Sequence, residues 1–259
     1  MRGLLWGRAF QSLFWTEFLA AFNDNLFKNL LVMWLTFSVP VAHRSVWVTA
    51  AAALFVLPYV LFSPLAGQLA DRYPRHLLIR ITQGAEIGIM LLAVLGFWLA
   101  SVPMLMLALF LMGAQSTLFG PVKYSILPEL FRGEALVAVN SWWSGSTFVA
   151  IVLGTLAGTG GWLLGGEVWG LMSAALVTSV LGFVATLWIP PVPAAAPRLR
   201  LTFNIIRALW QTLREARAHH AWSVMLAISG FWMIGAMILS QIPLMAERLG
   251  APRYTLYLL

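Results

Sequence analysis

Residues Gly67–His76 read GQLADRYPRH, a charged, proline-broken decapeptide set between two long apolar runs at 46–70 and 77–100. Each flanking run reaches the roughly 20 residues that an α-helix needs to cross a bilayer's hydrocarbon core. The decapeptide is too polar to lie in lipid and too short to be a domain. It therefore reads as a turn on one side of a membrane, joining two spanning helices. The strands of a membrane barrel would be alternating segments of about ten residues, and these runs are longer and uniformly apolar.

Outward from this hairpin the pattern repeats. Further span-length windows lie at 10–39, 103–121, 137–164, 168–189 and 222–245, giving seven in all. Their punctuation is SVPVAHRS, ASVP, LPELFRGE, GGE and the long PPVPAAAPRLR. The expected fold class is an all-α polytopic membrane protein. Composition agrees: 61% of residues are hydrophobic and only 10% charged, against about 25% charged in soluble domains. The net charge of +7 does not indicate a nucleic-acid partner, because the basic residues fall between apolar runs rather than on one clustered face. There are no cysteines, hence no thiolate metal site. His43, His76, His219 and His220 show no ligand spacing with acids. No cofactor and no metal are expected. The N-terminus has basic residues but no small-residue cleavage site, so the first window reads as an uncleaved helix.

Lysine and arginine set the expected topology. With the N-terminus inside, cytoplasmic segments carry Arg2, Arg8, Arg72, Arg75, Arg80, Lys123, Arg132, Arg198, Arg200, Arg207, Arg214 and Arg217, and the other side only Arg44, Arg248 and Arg253. This asymmetry predicts a cytoplasmic N-terminus. Three regions follow: a six-helix bundle at 1–189, a connecting segment at 190–221, and at 222–259 the first helix of a second bundle with the start of the next. The connector begins as a Pro/Ala linker. It continues with Phe203, Ile206, Leu209, Trp210 and Leu213 at helical spacing among arginines, which suits either the bilayer surface or a solvated link between bundles. Six helices, a linker and a seventh suggest half of a pseudo-repeated transporter, and APRYTLYLL at the end looks like a span cut short.

Gly67, Leu69, Asp71, Arg72 and Arg75 resemble the signature between the second and third helices of the major facilitator superfamily, with Pro74 where many members have Gly. In that reading Gly67 permits close helix approach, while Asp71 caps a helix end and pairs with an arginine, latching one conformation. FWTEFLAAFNDNLFKNLLV, GPVKYSILPEL and SGFWMIGAMILSQIP are similar to the lysophospholipid transporter family, closest to the branch fused to an acyltransferase and an acyl-carrier-protein ligase. The resemblance runs from about residue 10 to the end. It implies a facilitator fold without enzymatic activity of its own. The implied function is to flip lysophospholipids, chiefly lysophosphatidylethanolamine, to the inner leaflet of a bacterial inner membrane for reacylation. It further implies membrane lipids and an acyltransferase/ligase, fused or separate, as partners. The family's F-x-D-N motif falls on Asp24 and Asn25, and its P-x-K-Y motif on Lys123 and Tyr124. Glu17 stands where Gln is the pattern, and the family's seventh-helix Arg has only Gln241 nearby. No H-x4-D acyltransferase motif is present.

The residues themselves support a polar path. At about 100° per residue, Glu17, Asp24 and Lys28 share a sector of roughly 40° on the first helix. A charge at the bilayer centre costs about 3 kcal/mol or more, so this seam cannot face lipid. Either Asp24 and Lys28 neutralise each other as an i,i+4 pair, or the seam lines a water-filled cavity. A lysophosphatidylethanolamine head group fits such a cavity, with its ammonium on Asp24 or Glu17, its phosphate on Lys28 or Lys123, and its glycerol hydroxyl on asparagine or Tyr124. Lys123 is either an inner-gate residue or a topology charge. Gln115, Ser116 and Thr117 either line the cavity or bond across helices. Glu86, between Gly84 and Gly88 at close-packing spacing, is a structural acid or a coupling site. The glycines of GTLAGTGGWLLGG are expected to pack helices closely. Two other functions remain open: a facilitator for a drug or polar solute, and a membrane anchor for a fused enzyme.

Overall fold

The computed structural model describes residues 6–218, 222–231 and 233–234, and none of these is in a strand. Two compact units divide the chain at Leu201/Thr202. The first holds six long helices: α1 (Arg8–Ser38), α2 (Val41–Arg72), α3 (Arg75–Trp98), α4 (Val102–Ser125), α5 (Gly133–Thr155) and α6 (Val168–Thr186). A single helical turn, Leu127–Leu130, extends α4, and α5 runs on through a π turn at Leu156–Gly160 into Gly161–Leu163.

Five of the six, α2 to α6 with these extensions, are long and apolar enough to cross a membrane. The exception is α1, which at 31 residues has ample length but carries Glu17, Asp24 and Lys28 in its middle. Its polar side chains turn inward: Glu17, Asn23 and Asn25 are buried. A helix surrounded by neighbours need not be apolar all round; the sequence reading of α1 as a span rested on its length and mostly apolar composition, with the polar seam turned away from lipid. Of the seventh window, 222–245, an apolar helix at Trp222–Phe231 is described. Apart from residues 233–234, the rest of that window lies outside the described residues, as do Arg2, His219, His220, Gln241, Arg248, Arg253 and the terminal APRYTLYLL.

Within the first unit the helices pack in the series α2, α4, α3, α6, α1, α5. Two apolar clusters form its core. One joins Leu26, Phe27, Leu30, Leu31 and Leu35 of α1 to Met90, Phe97, Leu105, Leu109 and Met112. The other joins Phe10 and Leu13 to Ile79, Phe119, Val122, Val139 and Trp143. Along α1, Thr16, Glu17, Asn23, Asp24 and Asn25 fall between Leu13 of one cluster and Leu26 of the other, so polar side chains gather where the two clusters meet.

Glycines set the helix spacing at that level, though only some of those the sequence pointed to. A Cβ on Gly154 or Gly158 would run into the Phe22 or Leu26 carbonyl oxygen of α1, and one on Gly113 into the Phe55 carbonyl oxygen of α2. Around Gly67 and Gly88, by contrast, a Cβ would meet nothing within 4 Å, and at Gly84 only ordinary contact with Phe183 at 3.5 Å. The close approach expected of Gly67, and of the Gly84/Gly88 pair, is therefore not what the fold uses. Small residues at the right spacing mark a permissive face, not the presence of a neighbour against it.

The proline-rich stretch expected as a free linker is fastened to the bundle. Val192 N–H donates to His76 Nδ1 at 3.0 Å, and Ala196 N–H donates to the Asp71 carbonyl at 2.7 Å. Arg80 donates to the carbonyls of Thr186, Leu187 and Ile189 at the end of α6, where a cation suits the helix dipole. In the second unit, α7 (Ile205–Ala218) is the amphipathic helix expected from the spacing. Its Ile206, Leu209 and Trp210 are exposed.

Candidate functional site

The polar level of the bundle contains a cavity of about 490 Å³ between α1, α2, α4 and α5. Glu17, Asp24, Asn25, Lys28, Lys123 and Tyr124 all line it. Six of the seven residues expected to bind substrate are thus brought together. The close approach of α5 to α1 through Gly154 and Gly158 places Asn25 and Asn29, whose Cβ atoms would each lie 3.1 Å from an added Cβ. The approach of α4 to α2 through Gly113 brings in Phe55 and Tyr59.

At one end, Lys123 Nζ donates to Glu17 Oε1 at 2.8 Å. The Thr147 hydroxyl of α5 donates to the same oxygen at 3.0 Å. Glu17 is 1% exposed, and its Oε2 has no hydrogen-bond partner among the described residues. The Lys123 ammonium also stands 5.5 Å from the Phe119 ring centre and 5.4 Å from that of Tyr124, within cation–π range. Tyr124 itself is an exposed residue at the cavity's rim.

At the other end, the acid and base of α1 have separate partners. Asp24 Oδ2 accepts from the Ser116 hydroxyl at 2.7 Å, while its Oδ1 is buried without a partner. Lys28 Nζ donates to Asn25 Oδ1 at 3.0 Å and lies 5.4 Å from the Phe55 ring centre. Asn25 is held in that orientation because its Nδ2 donates to the Ala21 carbonyl at 2.8 Å. Among the described residues the ion pairs are Lys123–Glu17 and Arg75–Glu129, so Asp24 and Lys28 do not form the i,i+4 pair that the sequence left open. A lysine has three protons to donate and a carboxylate roughly four acceptor sites; both groups retain capacity for a ligand.

Behind the cavity lies a second layer of polar groups. Gln115 does not line the cavity; its Nε2 donates to Glu86 Oε2 at 3.4 Å, and Ser116 reaches its Oε1 at 3.2 Å. Glu86, fully buried, also accepts from Asn23 Nδ2 at 2.6 Å, and Asn23 Oδ1 accepts from Thr178 at 3.3 Å. Side chains of α1, α3, α4 and α6 thereby meet around one acid. Thr117 bonds its own helix at the Gly113 carbonyl, taking no part in either layer.

The residues of the GQLADRYPRH turn lie elsewhere. Arg75 is buried, pairing with Glu129 at 3.3 Å and donating to Ser125 at 2.9 Å, which ties α3 to the end of α4. Arg72 stands 5.5 Å from the Tyr73 ring centre. The Asp71 carboxylate is in no ion pair among the described residues, and α3 begins after Pro74 without a side-chain cap. The arginine link expected at Asp71 is made by Glu129 instead, and Asp71 contributes its backbone carbonyl. Phe55, Tyr59, Thr147 and Ile151 of the lining were not anticipated. Tyr59 and Thr147 carried a signal, each being a polar group within an apolar span, but only the fold shows which way such a group turns.

Comparison with known proteins accords with this architecture. Residues 13–259 match the family model of the Major Facilitator Superfamily. The chain is 30% identical over 227 residues to a lysophospholipid transporter of Klebsiella pneumoniae, covering 80% of this chain and 51% of that protein. It is 30% identical over 248 residues to one of an Enterobacter species, covering 90% and 57%, and 28% identical over 236 residues to one of Serratia proteamaculans, covering 86% and 54%. The chain spans about half the length of the curated relatives it matches. A six-helix bundle with a polar cavity on its first helix, matched over nearly its whole length by that family model, places the chain in the major facilitator superfamily.

Proposed function

We propose that the intact protein is a secondary or facilitative transporter that flips lysophospholipids of the lysophosphatidylethanolamine class to the cytoplasmic leaflet of a bacterial inner membrane, where a fused or separate acyltransferase and ligase reacylates them. The observation that carries this reading is the state of Asp24 and Lys28. A half-buried acid and a half-buried base, one helical turn apart, each hydrogen-bond an uncharged partner and stand within electrostatic range of each other without contact. Leaving them so is costly unless a ligand with both charges answers them. A phosphoethanolamine head group has an ammonium for Asp24 Oδ1 and a phosphate for Lys28. The similar proteins' names supply lysophospholipid as the kind of substrate, and the ethanolamine head group is our reading of the cavity's charges.

The remaining assignments follow from position. Lys123 and Tyr124 serve at the end of the cavity nearest the α4 terminus, taken as cytoplasmic from the arginine asymmetry, with the N-terminus on the same side. Gln115 supports Ser116 from behind. Glu86 acts as the buried acid to which transport is coupled, held by Asn23 and by Gln115, the neighbour in sequence of the Ser116 that donates to Asp24. Gly67, Asp71, Arg72 and Arg75 belong to the conformational latch, with Arg75–Glu129 as its closed contact.

The test is leaflet transfer of labelled lysophosphatidylethanolamine by the intact gene product in proteoliposomes. Asp24→Ala and Lys123→Ala are each expected to abolish it. Transfer at the native rate in both variants would remove the site assignment, and transfer of drugs or polar solutes in place of lysolipid would remove the substrate.

A further inference from the structure

Among the described residues four formal charges line the cavity: Glu17 and Asp24, Lys28 and Lys123. They are not equivalent. Asp24 and Lys28 have only uncharged partners, whereas Lys123 and Glu17 are in contact at 2.8 Å. Glu17 is held on a second side by Thr147 at 3.0 Å, and it is the more buried of the two, its side chain 1% exposed against 19% for Lys123. The pair therefore cancels one cation of the cavity with an anion built into α1, and leaves one open acid and one open base.

We infer that Glu17 is a specificity-determining residue: by occupying Lys123 it sets the cavity to zero net charge and so selects zwitterionic over anionic lysophospholipid head groups. The inference rests on the lysophospholipid reading above and adds to it a reason for discrimination. A zwitterionic head group places its ammonium against Asp24 and its phosphate against Lys28. An anionic one, such as that of lysophosphatidylglycerol, brings a phosphate for Lys28 but leaves the Asp24 carboxylate facing a hydroxyl or the phosphate itself. With Glu17 uncharged, Lys123 becomes a second open cation and the cavity gains one positive charge, which complements the anionic lipid and not the zwitterion. Two unit charges 4–8 Å apart interact by about 2–4 kcal/mol at an effective dielectric constant of 20. A change of about tenfold or more in relative uptake is the scale to expect.

The experiment measures uptake of labelled lysophosphatidylglycerol and lysophosphatidylethanolamine by the intact protein in proteoliposomes, as a ratio, for wild type, Glu17→Gln and Glu17→Gln/Lys123→Gln. Wild type is expected to favour the ethanolamine lipid. In E17Q the glycerol-to-ethanolamine ratio is expected to rise about tenfold. The double variant again has zero net charge; without Lys123 it is expected to bind but not to transport, and its binding ratio is expected to return towards wild type. Equilibrium binding of the two lipids to detergent-purified protein gives the same ratio for any variant that binds without transporting. An E17Q ratio equal to wild type's in uptake and binding overturns the inference, as does loss of binding of both lipids in an E17Q protein that melts like wild type. A wild-type protein that transports neither lipid overturns the lysophospholipid reading itself, an outcome separate from a changed or unchanged ratio.

Discussion

At the scale of single residues, Lys28 carries the sharpest question. Lys28 acts on Asp24 across space, while its Nζ hydrogen-bonds Asn25 Oδ1 and not the carboxylate, so either balancing the acid or answering a phosphate fits its position. Lys28→Met keeps the length of the side chain and removes the charge. If Lys28 answers a phosphate, uptake of lysophosphatidylethanolamine falls by at least about tenfold, since a hydrogen bond to a charged group is worth about 1.5–3 kcal/mol. The double variant Lys28→Met/Asp24→Asn decides between the two roles: recovery of native uptake would show that the lysine only balanced the aspartate. Glu86 permits a stability prediction. Removing its carboxyl strands the Asn23 and Gln115 amides, each at about 1–3 kcal/mol, whereas glutamine still offers an acceptor. Glu86→Ala is expected to melt well below Glu86→Gln in detergent; equal melting temperatures would show that the network braces nothing.

At the scale of elements, the site depends on how closely α5 lies against α1. Gly154→Ala forces a methyl group into the Phe22 carbonyl, and overpacking of this kind costs about 1–3 kcal/mol. Because Phe22 and Asn25 share that contact, lysolipid uptake should fall along with the melting temperature. Gly145→Ala on the same helix meets nothing within 4 Å. It should be neutral or slightly stabilising, since alanine is the better helix former by about 1 kcal/mol. If both substitutions behave alike, the spacing of α1 and α5 is not set at Gly154. The helices themselves were legible from hydropathy and punctuation, and α7 from its 3.6-residue period. The contacts were not, because periodicity gives the face of one helix and says nothing of its neighbour. Gly84/Gly88 has the same spacing as Gly154/Gly158, yet only the latter pair touches a backbone.

At the scale of the whole molecule, the first unit gathers polar side chains where two apolar clusters meet, and the sequence shows this along α1 as a polar seam between residues 10–13 and 26–35. Glu17, Asp24 and Lys28 were readable together because charge in an apolar span has few explanations, whereas Asn25, Lys123 and Tyr124 joined them through the family motifs that the sequence resembles. The pairing of Lys123 with Glu17, 106 positions apart, was not readable, since it depends on which face of α4 meets α1. For the second unit, the exposed Ile206, Leu209 and Trp210 of α7 call for an apolar medium. The chain has no cysteine, so a nitroxide at Trp210→Cys reports on that site alone within it. In proteoliposomes it is expected to be reached by oxygen and shielded from an aqueous nickel chelate; the reverse would place α7 in water.

The balance of two acids and two bases around the cavity has an electrical consequence. Moving one net charge across a membrane is worth about 2.3 kcal/mol per 100 mV, so a charged carrier or cargo would be driven or stalled by the membrane voltage. A chamber whose fixed charges sum to zero, loaded with a head group that also sums to zero, presents nothing on which that voltage can act. Voltage acting on the loaded cavity alone would not drive the head group across, so any dependence of flipping on membrane energy would enter through Glu86, the acid to which transport is coupled.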